Sequence, residues 1–287
     1  MLPLDAQSIE ERFAASEPSR RELYLLYALV MAIIVTLMVL PTYGDRLGVP
    51  NAAGVLLLVV LVVLLASVGY SVGRRQRQCR SRIIAAWEHA KLGQWGQAAP
   101  ILDGLLRGPI RSPADRAEAF LLLAAALENV ERHDLAGQVY ETLAFQRIGT
   151  PTQVHQAQIA LAASKIRTQE LTDAVNLLAH LEAVQMPEGL RAALDLARLF
   201  QQVFMGHCDD AIQDLPKRRE LFRRQLSTQA AYGYGLLAAA MHGLGRREEA
   251  SQLWRDATTL IAADKLVKEY SCLVPIARGY PPMERPL

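Results

Sequence analysis

The sequence predicts an all-α protein, a membrane-spanning helical hairpin followed by a solenoid of about five helix pairs, and two observations predict it. The first is a pair of long apolar runs in the opening quarter of the 287-residue chain. The second is a helix-pair pattern that recurs about every 38 residues from 73 to 262. Small residues open each second helix at Ala98, Ala136, Ala174, Ala211 and Ala250, separated by 38, 38, 37 and 39 residues. A large side chain follows four places later in each unit, at Leu102, Tyr140, Leu178, Leu215 and Trp254. One helix pair cannot bury its apolar face alone, so a period of this length implies stacking on a neighbour.

Residues 1–22 form an N-terminal tail rich in both charges. Residues 23–40 and 52–72 are uncharged runs of 18 and 21 residues, and each can cross a hydrocarbon core of roughly 30 Å as a helix. Neither run has a polar face, which disfavours a soluble core helix. A turn-rich loop from Pro41 to Asn51 separates them and is too short to be a domain. Arg12, Arg20 and Arg21 precede the first run, only Arg46 lies in the loop, and Arg74, Arg75, Arg77, Arg80 and Arg82 follow the second. The positive-inside rule then puts both termini in the cytoplasm and the loop outside, as for an integral protein of the plasma or inner membrane. Asp5, Glu10, Glu11 and Glu17 ahead of the first run, and Pro-Thr-Tyr-Gly after it, do not fit a cleaved signal peptide. Ion pathways ordinarily need ionisable groups at depth, and the runs contain none. They read as an anchor.

Residues 73–81 form a basic juxtamembrane linker. Its Arg74, Arg75, Arg77 and Arg80 either contact anionic headgroups or serve only to fix topology. The formal net charge of the whole chain is only +2, which gives no case for nucleic acid as a partner. Cys79, Cys208 and Cys272 are far apart and lack ligand spacing, so neither a disulfide framework nor a zinc module is expected.

Residues 82–262 carry the repeats. Gly93, Trp95 and Ala98 in the first unit, Phe120, Leu123, Ala124, Ala136 and Tyr140 in the second, and Tyr234, Leu237, Ala238, Gly245, Ala250, Trp254 and Ala257 in the last resemble the tetratricopeptide repeat. The third unit keeps Leu161, Ala162, Ala174 and Leu178 but no turn glycine, and Glu131 replaces that glycine in the second. Pro109, Pro151 and Pro187 stand where one pair ends and the next begins. In the fourth unit Pro216 falls inside the second helix, so a break is expected there. The following run, Lys217 to Arg224, reads as a solvated helix face or as a contact for phosphate, lipid or an acidic partner.

No nucleotide-loop, nucleophile-elbow or zinc-protease motif occurs, so no catalytic residue, cofactor or metal is assigned. His207-Cys208-Asp209-Asp210 is the one local set that suggests chemistry, and neighbours in sequence rarely converge on one ion. The resemblance implies a concave face lined by the first helices, with Lys91, Glu128, Asn129, Arg167 and His242 looking into it and a protein partner bound there. The expected function is therefore a membrane-anchored, non-catalytic adaptor or scaffold. The alternative is a regulatory or sensing subunit of a membrane-bound enzyme or transport complex. Residues 263–287 are expected to cap the last repeat and then run into a mobile proline-rich end that leaves the concave face open.

Overall fold

The computed structural model describes residues 5–18, 24, 27–35, 38 and 51–280, and among them it is helical with no strand. The first apolar run lies partly, and its loop almost entirely, outside the described residues, as does the end of the tail from 281. Residues 24, 27–35 and 38 of that run are helical. The chain divides into two compact units, Met1–Asn129 and Val130–Leu287.

Unit 1 holds α1 (Ala6–Ala15), α2 (Asn51–Lys91), α3 (Trp95–Leu106) and α4 (Pro113–Asn129). Helix α2 has 41 residues and no internal break, about 60 Å at 1.5 Å per residue. Within it Val59–Lys91 is long and apolar enough to cross a membrane, and none of its most apolar window is buried in the protein. The stretch 73–81 is helical throughout, so the basic segment continues the apolar one without a change of direction. Its far end enters the packed unit, where Ile83 and Ala86 are buried.

The N-terminal tail is not a free arm. Asp5 and Ser8 cap α1 reciprocally at 2.8 and 2.9 Å, and Ile9 and Phe13 project from one face at helical spacing. Both are buried, and the Phe13 ring stacks on Phe120 of α4 with centroids 3.7 Å apart. Around that stack, Arg12 meets Asp103 of α3 at 2.7 Å. Arg116 donates to the Phe13 carbonyl at 2.6 Å and to the Ser16 hydroxyl at 2.9 Å.

Unit 2 holds α5 (His133–Phe145), α6 (Pro151–Arg167), α7 (Leu171–Glu182), α8 (Glu188–Phe204), α9 (Cys208–Ile212), α10 (Leu215–Gln225), α11 (Ala230–Gly243), α12 (Arg247–Leu260), α13 (Ala263–Glu269) and α14 (Val274–Gly279). All five aligned alanines are fully buried, at 0% exposure. Within each helix pair the turn has one residue with positive φ: Gly93, Glu131, Gln169, Gly206 and Gly245, again 38, 38, 37 and 39 residues apart. The bonds Gln94 N–H to His89 O, Glu170 N–H to Lys165 O and His207 N–H to Gln202 O, all 2.8 Å, close six-residue loops over the helix ends as in a Schellman cap. Gln169 thus adopts the conformation that glycine fills elsewhere because the cap requires it, and Glu131 takes the same left-handed conformation at the equivalent place.

The break expected near Pro216 is present. Helix α9 stops at Ile212, Asp214 sits at φ 56°, and α10 restarts with Pro216 in its first turn, where a missing N–H costs no helical bond. Leu215 is left only half-buried, unlike Leu102, Leu178 and Trp254 at the equivalent places. Phe222 of α10 fills the core instead, and its ring comes so close to α11 that a Cβ on Gly233 would lie 2.4 Å from it. The charge run is not merely solvated. Arg218 is held by Asp195 at 3.3 Å and by the Ala211 carbonyl at 2.7 Å, and Arg219 pairs with Asp256 at 2.9 Å. Lys217 and Arg224 remain exposed.

The left-handed turns give a stability test. Gln169→Gly is expected to stabilise the chain by about 0.5 to 1 kcal/mol, and Gly245→Ala to destabilise it by about 1 kcal/mol or more. Thermal melts of the detergent-solubilised chain, followed by circular dichroism, check both signs. Shifts of the same sign would show that turn conformation does not govern these positions.

Candidate functional site

The first helices of three successive pairs, α6, α8 and α11, each contribute one residue to a polar and aromatic cluster in unit 2. Arg167 is the last residue of α6, where a cation complements the partial negative charge of the terminal carbonyls. Phe200 lies on the apolar stripe of α8, and Tyr232 stands in the first turn of α11. The C-terminal segment closes over them.

That segment is α13, a 3-10 turn at Ser271–Leu273, and α14. Tyr270 is its centre, 6% exposed, with its ring 4.6 Å from Phe200 and 5.6 Å from Tyr232, both edge-on. Edge-on contacts of this kind bring the positive rim of one ring to the negative face of another. The Arg167 guanidinium carbon lies 5.6 Å from the Tyr270 ring and 5.8 Å from Phe200, within cation–π range. Its Nη2 also pairs with the Glu269 carboxylate. Arg167 is 10% exposed and Glu269 38%, so the pair is less screened than one on the open surface. Farther out, Lys268 reaches Glu131 at 3.8 Å.

Apolar burial fixes the same segment. Leu266, Leu273 and Ile276 are at most 1% exposed and join the core formed by the helices of this unit. Leu273 fits because α11 has a glycine opposite it: a Cβ on Gly235 would stand 3.1 Å from the Leu273 Cδ1. Burial pushes the Cys272 thiol up to about 12. Beyond α14, Tyr280 meets His242 edge-on, with ring centroids 5.7 Å apart.

His133, at the start of α5, borders this cluster. Its Nδ1 is buried without a hydrogen-bond partner, while its carbonyl accepts the Ser164 hydroxyl of α6 at 2.8 Å. Burial and then the positive charge of Arg167 hold the imidazole below the usual histidine range. Burial likewise raises the Tyr232 phenol, helped by the Glu269 carboxylate.

The residues expected to line an open groove fare differently. All five stand at or near the C-terminal ends of first helices, next to the turns. Lys91 is exposed, with its ammonium 3.6 Å above the Trp87 ring; Glu128 is half-buried and Asn129 exposed. Arg167 and His242 are both engaged by the C-terminal segment, so neither faces open solvent as a ready contact. Residues 263–275 are expected to cap the last repeat, and they lie on α11 while also reaching back to Phe200 and Arg167; the proline-rich end from 281 lies outside the described residues. Phe200, Tyr232, Glu269 and Tyr270 were not anticipated as site residues, although Leu266, Tyr270 and Leu273 recur at helical spacing and gave the available signal.

Arg74, Arg75, Arg77 and Arg80 are exposed on α2 directly after its apolar stretch, and Arg80 approaches Asp115 at 3.9 Å. Among the described residues no group of histidine, cysteine, aspartate or glutamate is arranged to hold a metal. In the set at 207–210, Cys208 turns toward α11, where a Cβ on Gly243 would be 2.8 Å from its sulfur. A shallow, open depression of about 550 Å³ is lined by Arg247, Glu248, Ser251, Gln252, Arg255 and Tyr280. No family model matches the chain, and no match is found among curated proteins or solved structures.

The depressed pKa of His133 predicts a pH dependence. Unfolding lets this imidazole regain its ordinary affinity for protons, so the unfolded state binds more protons between the lowered folded value and about 6.5. Stability is therefore lost as pH falls through that window. Wild type should lose more thermal stability than His133→Gln between about pH 7.5 and 5.5. Parallel pH profiles for the two proteins would show that His133 is not the titrating group.

Proposed function

We propose that this chain is a membrane-anchored, tetratricopeptide-like adaptor that holds a protein segment on the face formed by its first helices, without catalysis. The observation that carries this reading is the seating of Leu266, Tyr270 and Leu273 against α8 and α11. A surface that receives a helical segment through an aromatic anchor, an arginine–carboxylate pair and two leucines has the chemistry of helix-in-groove recognition. The equal spacing of buried alanines and left-handed turns supports the repeat assignment.

The anchor is a two-span hairpin in this reading. Helix α1 precedes the apolar runs and α3 and α4 follow them, yet Phe13 stacks on Phe120 and Arg12 pairs with Asp103. Segments in contact share one side of a membrane. If α2 crosses the bilayer, the chain between 17 and 50 must cross it too, which supports 23–40 as the second span. The arginines that follow the apolar stretch of α2 favour the cytoplasm for that shared side.

Topology reporters placed before residue 20 and after 287 should both read cytoplasmic, and one in the 41–50 loop external. Opposite readings at the two ends would overturn the hairpin. For the binding face, a photo-crosslinking side chain at Tyr232 in the detergent-solubilised chain should capture a partner, while one at the exposed Lys217 on α10 should not. Capture from Lys217 alone would place the partner off the first-helix face.

A further inference from the structure

The C-terminal segment is built like a ligand. Its contacts fall on three consecutive first helices, through Arg167, Phe200 and Tyr232, and on the glycine pocket at Gly235. An element needed only to cover the end of the last repeat would contact α11 and α12. This one extends back to Arg167 on α6, two pairs earlier, and uses a carboxylate to do so. It is tethered by only two residues, Ile261 and Ala262, between the end of α12 at Leu260 and the start of α13 at Ala263. The sequence beyond it carries three prolines, Pro281, Pro282 and Pro286, and so cannot extend α14.

We infer that residues 263–279 are a built-in ligand that occupies the first-helix face of unit 2 and is displaced by a partner segment of the same chemistry: a short helix that ends on a carboxylate, an extended aromatic residue directly after it, and leucines four residues before and three after that ring, the second in a following turn. This deepens the adaptor reading and rests on it. The spacing copies Leu266, Glu269, Tyr270 and Leu273. The carboxylate answers Arg167, the ring enters between Phe200 and Tyr232, and the second leucine enters the space left by Gly235. A tethered ligand lowers the apparent affinity of any rival by the fraction of time that it leaves the face open. The same face is thereby closed to segments that lack the carboxylate or the ring.

Cys272 lies inside the docked segment and reports its release. In the full chain with Cys79→Ser and Cys208→Ala, thiol labelling of Cys272 should be slow. A synthetic peptide of residues 262–280, with serine in place of its cysteine, should accelerate that labelling by about ten-fold or more at saturation. A peptide with Glu269→Gln and Tyr270→Ala should not. In the chain itself, Glu269→Gln should accelerate labelling without peptide, and Arg167→Glu combined with Glu269→Arg should restore slow labelling, with helicity by circular dichroism unchanged throughout. Labelling that does not respond to the native peptide, or responds equally to the altered one, overturns the inference. Crosslinking from Tyr232 tests the adaptor reading separately: release by the peptide with no partner captured would show a displaceable segment but sink that reading, and the partner segment inferred here with it.

Discussion

Two helices can close to short range only where the crossing carries nothing larger than a methyl group, and the five fully buried alanines supply that methyl at equal intervals. In unit 2, α6 packs on α7, α8 on α9 and α11 on α12, and Ala174, Ala211 and Ala250 of the second helices are fully buried. In unit 1, α2 packs on α3, and Ala98 of α3 is likewise fully buried. Everything else in the pairs is arranged around that distance. Only three residues separate the end of the first helix from the start of the second, and one residue of each turn lies in the left-handed region. Large side chains are then left to pack one turn farther on, as Leu102, Leu178 and Trp254 do. Where the pattern is interrupted at Asp214, a different large residue, Phe222, has to fill the space, and Gly233 has to stay small to admit it.

The two chain ends solve a similar problem with similar groups. Each unit packs against a terminal segment through an aromatic contact flanked by arginine–carboxylate pairing: Phe13 on Phe120 beside Arg12 and Asp103, and Tyr270 on Phe200 beside Arg167 and Glu269. The rings provide apolar area and the charge pairs fix register, since a buried guanidinium tolerates few positions for its counter-charge. They differ in accessibility. Arg12 and Asp103 are both largely shielded, whereas Glu269 remains more than a third exposed. The C-terminal contact is the one that a competing carboxylate can approach.

Much of this was legible in the sequence because it depends on local chemistry. The alanine period, the prolines that begin α6 and α10, and the uncharged stretch of α2 each follow from what a residue type permits in a helix. The left-handed turns at Glu131 and Gln169 were not, since nothing local favours φ near 65° for those side chains, and at Gln169 the hydrogen bonds of the cap decide it. The destination of the tail was hidden for another reason. Spacing reveals that Leu266, Tyr270 and Leu273 share a face, but not which exposed surface will receive it. Arg167 reads as a solvent-facing contact because a charged residue at a helix end usually is one, and the arrival of Glu269 from 102 residues away offsets the cost of its burial. The same holds for α1, whose Ile9 and Phe13 are separated by one helical turn and find their partner at Phe120.

The unbroken course of α2 ties two rotations together. A helix turns about 100° per residue, so the azimuth at which Ile83 and Ala86 meet the rest of unit 1 is fixed by the number of residues between them and the apolar stretch. Adding or removing a single residue among 73–79 would turn the apolar stretch by about 100°, more than a quarter turn, relative to the packed residues Ile83 and Ala86. In the membrane-anchored reading, the length of that basic stretch acts as a compass setting, choosing which side of unit 1 looks along the bilayer and which looks away from it.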